Sequence, residues 1–329
     1  MAIATPAATS IVGAIGDTPA VWLDRLTAGL PGRILLKLEC MNPGGSIKDR
    51  SALQCLRDAE EQGVLRPGMP VVELTSGNMG IGLAVACTVM NYHLFAVMSE
   101  GNSPERRQLL SAFGARVELV PQAPGGVPGQ VSGEDLALVE ARTTELVEDL
   151  SAWRPDQFTN PSNPRAHELG TGPELWAQSG ENLGAFAAIV GTGGTFVGIA
   201  RALKSRDATV RCLAIEPEGA QALAGRAIAH AAHKLQGAGY AMIPPHWDAA
   251  LCDGTMPIGD DEAVAFAREL ARREGILAGF STGANVAAAM RLARDVEPGF
   301  TIATVACDTG ARYLSSDLFL ADPGGNAPA

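Results

Sequence analysis

AFAAIVGTGGTFVGIARALKSRDATVRCLAIE, residues 185–216, decides the fold. An apolar run (185–191) enters a glycine-rich loop and an amphipathic stretch (195–205), and a second apolar run (210–216) follows. Strand, helix and strand at this spacing form a βαβ unit with two parallel strands. The alternation continues outward in both directions. RILLKLE (33–39), MPVVEL (69–74), HLFAVM (93–98), ARVELV (115–120) and TIATVAC (301–307) read as buried strands. Helical stretches fall at about 46–62, 78–91, 104–113, 134–150, 260–274 and 283–295. Ser103 before Pro104 and Glu105 is a capped helix start, and Asp260-Asp261-Glu262 puts negative charge on another helix N-terminus. The pattern predicts an α/β protein with a mostly parallel sheet.

Two regions break the rhythm. Residues 121–133, PQAPGGVPGQVSG, read as a Pro/Gly loop, and 217–259 reads as irregular, carrying local function or a domain contact. The tail ADPGGNAPA (321–329) reads as disordered. No internal repeat is visible.

The 329 residues exceed one typical hydrophobic core and suggest two domains or one large α/β unit. With 47% hydrophobic and 19% charged residues the chain can bury that much core. The formal net charge of −11 argues against nucleic acid or an anionic membrane surface as partner. Six cysteines without CxxC spacing read as free thiols of a reducing cytosol. The N-terminus lacks a basic signal-peptide region, and no apolar run reaches the length of a membrane span, so a cytoplasmic location is expected.

In open parallel sheets, ligands bind beyond the carboxyl ends of strands, and four loops there carry unusual chemistry. NPGGSIKDR (42–50) stops its strand, offers Ser46 as a cap, and places Lys48 in a helix's first turn. The helix dipole opposes a cation there, whereas a neutral amine or a Schiff base suffers less. TSGNMG (75–80) gathers Thr75, Ser76 and Asn78 beside accessible glycine amides, a turn able to bind a carboxylate. GTGGT (191–195) is a phosphate cup by composition, but Phe196 breaks the dinucleotide fingerprint and no Lys-Ser/Thr follows. GFSTG (279–283) matches the hydrolase nucleophile elbow. That reading requires a histidine after the serine, and the last histidine is His246, so Ser281 reads as a neutral hydrogen-bonding group. His230 and His233 share a possible helix face without a completing carboxylate, so no metal is expected.

Together the four loops resemble cysteine synthase and cystathionine β-synthase, of the fold-type II pyridoxal-phosphate (PLP) enzymes. The likeness runs from about Gly16 to Asp317 and includes ERRQLL (105–110), QFTNPSNP (157–164), TGPELW (171–176), KLQG (234–237) and DTGARYLSS (308–316). It implies two doubly wound three-layer α/β domains with the cofactor in the cleft between them, as in the tryptophan synthase β fold. Residues 42–156 would form a small mobile domain, with 1–19 packed on it. Residues 20–41 and 157–320 would form the larger PLP-binding domain. By the same resemblance Lys48 forms the internal aldimine, Asn78 bonds the ring hydroxyl, Gly191, Thr192, Gly193, Gly194 and Thr195 hold the phosphate, and Ser281 meets the pyridine nitrogen. Thr75, Ser76, Gly77, Met79 and Gln157 would receive the substrate carboxylate, and Gly237 and Tyr240 would border the second substrate.

The implied activity is β-replacement on an activated L-serine, O-acetylserine or O-phosphoserine, through an aminoacrylate. Sulfide or another thiol or amine is the implied nucleophile, and a homodimer the implied assembly. Its alternative is net β-elimination from a hydroxy- or thio-amino acid. Three positions depart from the family. Met79 stands where cysteine synthases usually have threonine, Asn102 where methionine is common, and Tyr240 in a normally small, glycine-rich segment. The 121–133 loop is also longer and richer in Pro and Gly than is usual.

Overall fold

A computed structural model describes residues 7–125, 131–230, 233–235 and 237–320. The expected disordered tail (321–329), the middle of the 121–133 loop (126–130) and residues 1–6 lie outside the described residues. In chain order the elements are β1 (Ala20–Trp22), β2 (Arg33–Lys37), α1 (Lys48–Glu61), β3 (Pro70–Leu74), α2 (Asn78–Met90), β4 (His93–Ser99), α3 (Pro104–Ala112), β5 (Arg116–Val120) and α4 (Gly133–Leu150). Then follow α5 (Ser162–Ala166), α6 (Gly172–Gln178), β6 (Ala185–Ile189), α7 (Gly194–Lys204), β7 (Arg211–Pro217), β8 (Gly254–Ile258), α8 (Asp260–Glu269), α9 (Phe280–Arg294) and β9 (Thr301–Val305).

The chain divides into two compact units, Met1–Asp17 with Asn42–Gly170, and Thr18–Met41 with Thr171–Ala329. The break falls after Gly170 and not after residue 156, because α5 is bonded to α1. Ser51 Oγ donates to Asn163 Oδ1 at 2.8 Å, and Arg165 pairs with Asp58.

The first unit is built on a parallel sheet in the order β3-β4-β5. β3 and β4 are buried on both faces over most of their length, so Val71, Val72, Ala96 and Val97 are all fully buried. One face packs on α1 and α2 through Leu53, Leu56, Leu83 and Leu94. The other face packs on α4 through Val139 and Leu146. α2 is apolar nearly all round and is accordingly buried from Met79 to Cys87.

The second unit holds a six-stranded sheet, β1-β2-β9-β6-β7-β8, parallel except for the antiparallel edge strand β1. From β6 the chain proceeds outward to β7 and β8, whereas β9 returns to the other flank. Strand order therefore reverses between β6 and β9, which is where a doubly wound sheet opens a crevice. The two strands pair only at Ala185↔Ile302 and Phe186↔Ala303, and their carboxyl ends are bridged by side chains. Ile189 N donates to Asn285 Oδ1 (2.7 Å), Asn285 Nδ2 donates to Val305 O (2.8 Å), and Thr304 Oγ1 donates to Ala187 O (2.7 Å).

Several local expectations are corrected. β8 and the short 3-10 turn Ala249–Leu251 lie inside the stretch read as irregular. β1 was not expected because three half-buried residues carry almost no period. Ser46 does not cap α1. Ile47, itself helical, stands at the N-cap, and Ser46 Oγ accepts from Lys48 N at 3.2 Å. Ser103 is the N-cap of α3 without a side-chain bond to a helix amide, its hydroxyl being engaged with Glu105.

Candidate active site

In the first unit, Lys48 opens α1 from a braced turn. Asn42 Oδ1 accepts from Gly16 N (2.9 Å) and Asn42 O from Gly45 N (2.7 Å). The Asp49 carboxylate, fully buried, accepts from Gly44 N at 2.5 Å. A Cβ on Gly44 would fall 2.5 Å from Asp49 Oδ1, so only glycine lets the turn close on that carboxylate. Lys48 itself is half-buried. α2 lies close alongside, since a Cβ on Gly82 would fall 3.0 Å from Lys48 O.

The 75–80 loop leads from β3 into α2. Thr75 is buried, and its hydroxyl accepts from Gly80 N at 2.9 Å. Ser76 is half-buried and receives Arg106 Nη1 on its hydroxyl (3.3 Å) and its carbonyl (3.4 Å). Gly77 is the extended N-cap and Asn78 the first helical residue, both partly accessible. The amides at the start of α2 have no carbonyl four residues earlier within the helix, so the loop presents donors suited to an anion. Met79 behaves differently. It is 2% exposed and joins the core with Met98 and Leu110, so its side chain lies away from the loop's accessible rim.

Gln157 stands in a turn shortly after Trp153, which bridges to Val71 of β3. Its carbonyl accepts from Asn163 Nδ2 (2.8 Å), Asn163 Oδ1 accepts from Ser51 Oγ, and Ser51 Oγ meets His167 Nε2 at 3.1 Å. This buried chain joins Gln157 to α1 one turn after Lys48. His167 is held well below the ordinary histidine range by burial and then by the charges of Lys48 and Arg50, so it is neutral. Beside the same turn Glu73 is buried, with its carboxyl pushed up to about 8 by desolvation, against the opposing pull of Arg154.

In the second unit the 191–195 loop rises from β6 at the strand-order reversal. Gly193, the N-cap of α7, has φ +88, a left-handed conformation that a side chain would strain. A Cβ on Gly191 would fall 2.3 Å from Gly237 O, so the loop backbone lies directly on the 237–239 segment. Gly239 N closes that contact on Val190 O at 3.0 Å. Thr192 is buried and Thr195 half-buried. Tyr240 is 45% exposed, at the mouth of a small recess shared with Gly191 and Glu216. Ser281 is the second residue of α9 and half-buried. Its helix start is fixed by Thr282 Oγ1, which accepts from Cys307 N (3.0 Å), and by Asp308, which accepts from Tyr313 OH (2.7 Å) beneath Gly279.

Lys48, the 75–80 loop and Gln157 thus belong to the first unit, and 191–195, Gly237, Tyr240 and Ser281 to the second. Asp49, Glu73, Arg106, His167 and Asn285 were not singled out from the sequence. Asp49 and Arg106 lie within quoted motifs, but nothing in one dimension shows what they bond.

The family profile described as "Pyridoxal-phosphate dependent enzyme" matches residues 11–308. The chain belongs to that family. Its cofactor is pyridoxal 5'-phosphate, and the resemblance read from the four loops is borne out. A cysteine synthase of Staphylococcus aureus is 41% identical over 314 residues, covering 95% of this chain and 97% of that one. Among solved structures, an O-acetylserine sulfhydrylase isoform of Entamoeba histolytica superposes with TM-score 0.89 at 32% identity, covering 99% and 96% of the two chains. An O-ureido-L-serine synthase gives TM-score 0.86 at 37% identity, covering 98% of each.

The donor sets fit this cofactor. The 191–195 loop offers glycine amides and two threonine hydroxyls at a helix N-terminus, which is chemistry for a phosphate dianion. Ser281 is a neutral group at the positive end of α9, where a cationic ring nitrogen is disfavoured and a neutral one accommodated. Three of the four lysines are committed to carboxylates. Lys37 pairs with Glu174 at 2.6 Å, Lys204 with Asp253 at 2.7 Å, and Lys234 with Asp317. Lys48 is the first residue of α1, at the positive end of that helix, where a lysine that held the cofactor's aldehyde would need to stand. Among the described residues no helix is long and apolar enough to cross a membrane.

Proposed function

We propose that the chain catalyses β-replacement on an activated L-serine, O-acetylserine or O-phosphoserine, with sulfide or another thiol or amine as the incoming nucleophile. The observation that carries this is the near-full-length likeness to cysteine synthase at 41% identity. PLP, when bound, supplies an electron sink for charge at the substrate's Cα. Lys48 would hold the cofactor covalently, Asn78 its ring hydroxyl, the residues from Gly191 to Thr195 its phosphate, and Ser281 its ring nitrogen.

The chain's own residues then have distinct tasks. Thr75, Ser76, the amides around Gly77 and Met79, and Gln157 take the substrate carboxylate, so that Cα and its β-substituent are held in one orientation. Met79 contributes its amide and not its side chain, which the core retains. The Lys48 amine takes the Cα proton and later returns it to the same atom. The exposed side chain of Tyr240 and the glycine backbone at 237 border the place of the incoming nucleophile, and Tyr240 departs from the small residues usual there. The first unit would close on the substrate, and the enzyme acts as a cytoplasmic homodimer, which light scattering and cell fractionation check.

The test is a panel of nucleophiles (sulfide, small thiols, hydroxyurea) with each activated serine, followed by mass spectrometry of the products. The expected result is a new β-substituted alanine with at least one partner. Keto acid and ammonia without added nucleophile would favour the elimination reading. No consumption of either serine ester would contradict the replacement reading, and keto acid formed from serine or cysteine would then favour elimination.

A further inference from the structure

Glu73 lies on β3, two residues before the 75–80 loop begins, and is 2% exposed. Taking a carboxyl group out of water is costly even when it keeps its proton, and such burial persists where the group holds something in place. Its Oε2 accepts from Asp156 N at 2.8 Å. Asp156 is a non-glycine residue in the left-handed region, φ +45. That conformation costs an L-residue about 1–2 kcal/mol and needs outside support. The Asp156 side chain turns forward instead, accepting from Phe158 N (3.2 Å) and Thr159 Oγ1 (2.5 Å). Glu73 therefore grips the turn from behind. The other carboxylate oxygen faces Arg154 Nε at 3.9 Å, while Arg154's outer nitrogens are taken by Glu140 at 2.6 and 2.8 Å.

The residue that follows Asp156 is Gln157. One strand thus governs two carboxylate-receiving elements of the same unit: β3 delivers the 75–80 loop directly, and through Glu73 it sets the turn that carries Gln157. We propose that Glu73 is a positioning residue for substrate-carboxylate recognition, its buried acceptor oxygen holding Asp156 left-handed and so fixing where Gln157 presents its side chain. This rests on the reading that Gln157 meets the substrate carboxylate.

The test uses holoenzyme with Glu73→Met, Glu73→Gln, Gln157→Ala and the double variant Glu73→Met/Gln157→Ala. Steady-state kinetics with the activated serine are combined with the dissociation constant of unreactive L-alanine, read from the visible absorbance. Glu73→Met removes the acceptor at similar volume and should raise KM and the L-alanine constant about ten-fold, with kcat within about two-fold. Glu73→Gln keeps an acceptor oxygen and should stay within about three-fold of the parent on both. The double variant should be no worse than Gln157→Ala alone, because both changes remove one interaction. Multiplicative effects in the double variant would overturn the proposal. So would a Glu73→Gln variant that loses as much as Glu73→Met, a comparison that holds even if the methionine variant folds poorly. An unchanged KM in Gln157→Ala would instead refute the carboxylate reading at Gln157 on which the inference stands.

Discussion

Replacing Asn285 with leucine tests the crevice of the second unit most sharply. The side chain is fully buried and fills the gap where β6 and β9 part, accepting from Ile189 N at 2.7 Å and donating to Val305 O at 2.8 Å. Leucine keeps the branched heavy-atom skeleton but supplies neither bond. Each buried main-chain group left without its partner costs about 1–3 kcal/mol, so the pair amounts to roughly 2–6 kcal/mol. In a unit of this size about 1 kcal/mol moves the melting temperature by about 2–4 °C, so a fall of at least about 4 °C is expected. Differential scanning calorimetry of the apoprotein measures it. Cofactor affinity should fall as well, because the 191–195 loop begins two residues after Ile189. A variant melting within about 1 °C of the parent, with unchanged affinity for PLP, would refute the claim that Asn285 replaces the missing ladder bonds.

Other outcomes follow from the same geometry. Gly191→Ala would place a Cβ 2.3 Å from Gly237 O, so the loop must shift; PLP titration of the apoprotein should show an affinity about ten-fold weaker or worse, and an unchanged affinity would contradict the close approach. Glu73, held at about 8 against an ordinary 4.5, binds its proton more tightly folded than unfolded. Its contribution is therefore complete below pH 4.5 and is lost as pH rises through about 8. Arg154, Asp156 and Cys55 are the charged or titratable groups that act on it, and Glu73→Gln should remove most of this slope, gaining in melting temperature over the parent between pH 5 and pH 9. His167 is neutral when folded, so its contribution is present above its ordinary 6.5 and declines as pH falls below it, and NMR should show a ring that fails to titrate near 6.5.

Much of this was legible in the sequence because parallel strands buried on both faces leave unbroken apolar runs. The run 185–191 followed by GTGGT located β6, the loop and α7 almost to the residue. Edge elements were harder. β8, GTMPI, carries Pro257, which argues against a central strand but is tolerated at an edge, and β8 ends the sheet. The helical turns between 162 and 178 were hidden by Pro164, Gly170, Gly172 and Pro173, which read as punctuation. The site's loops were visible as local composition, whereas its supports were not. Glu73 meets Asp156 across 83 residues, Ile189 meets Asn285 across 96, and Ser51 meets His167 across 116. No periodicity marks such pairs, since each is set by how strands and helices stack. Met79 shows the same limit: it was read as a loop residue lacking a hydroxyl, and only the packing on Met98 and Leu110 shows its side chain to be core.

The most direct test is to reduce the native protein with borohydride, digest it, and map the pyridoxyl-modified peptide by mass spectrometry. The chain has four lysines, at positions 37, 48, 204 and 234, so the mapped peptide identifies the site unambiguously. The expected result is a single adduct on Lys48. A cofactor trapped on Lys37, Lys204 or Lys234, or a reconstituted protein with no reducible chromophore, would contradict the account.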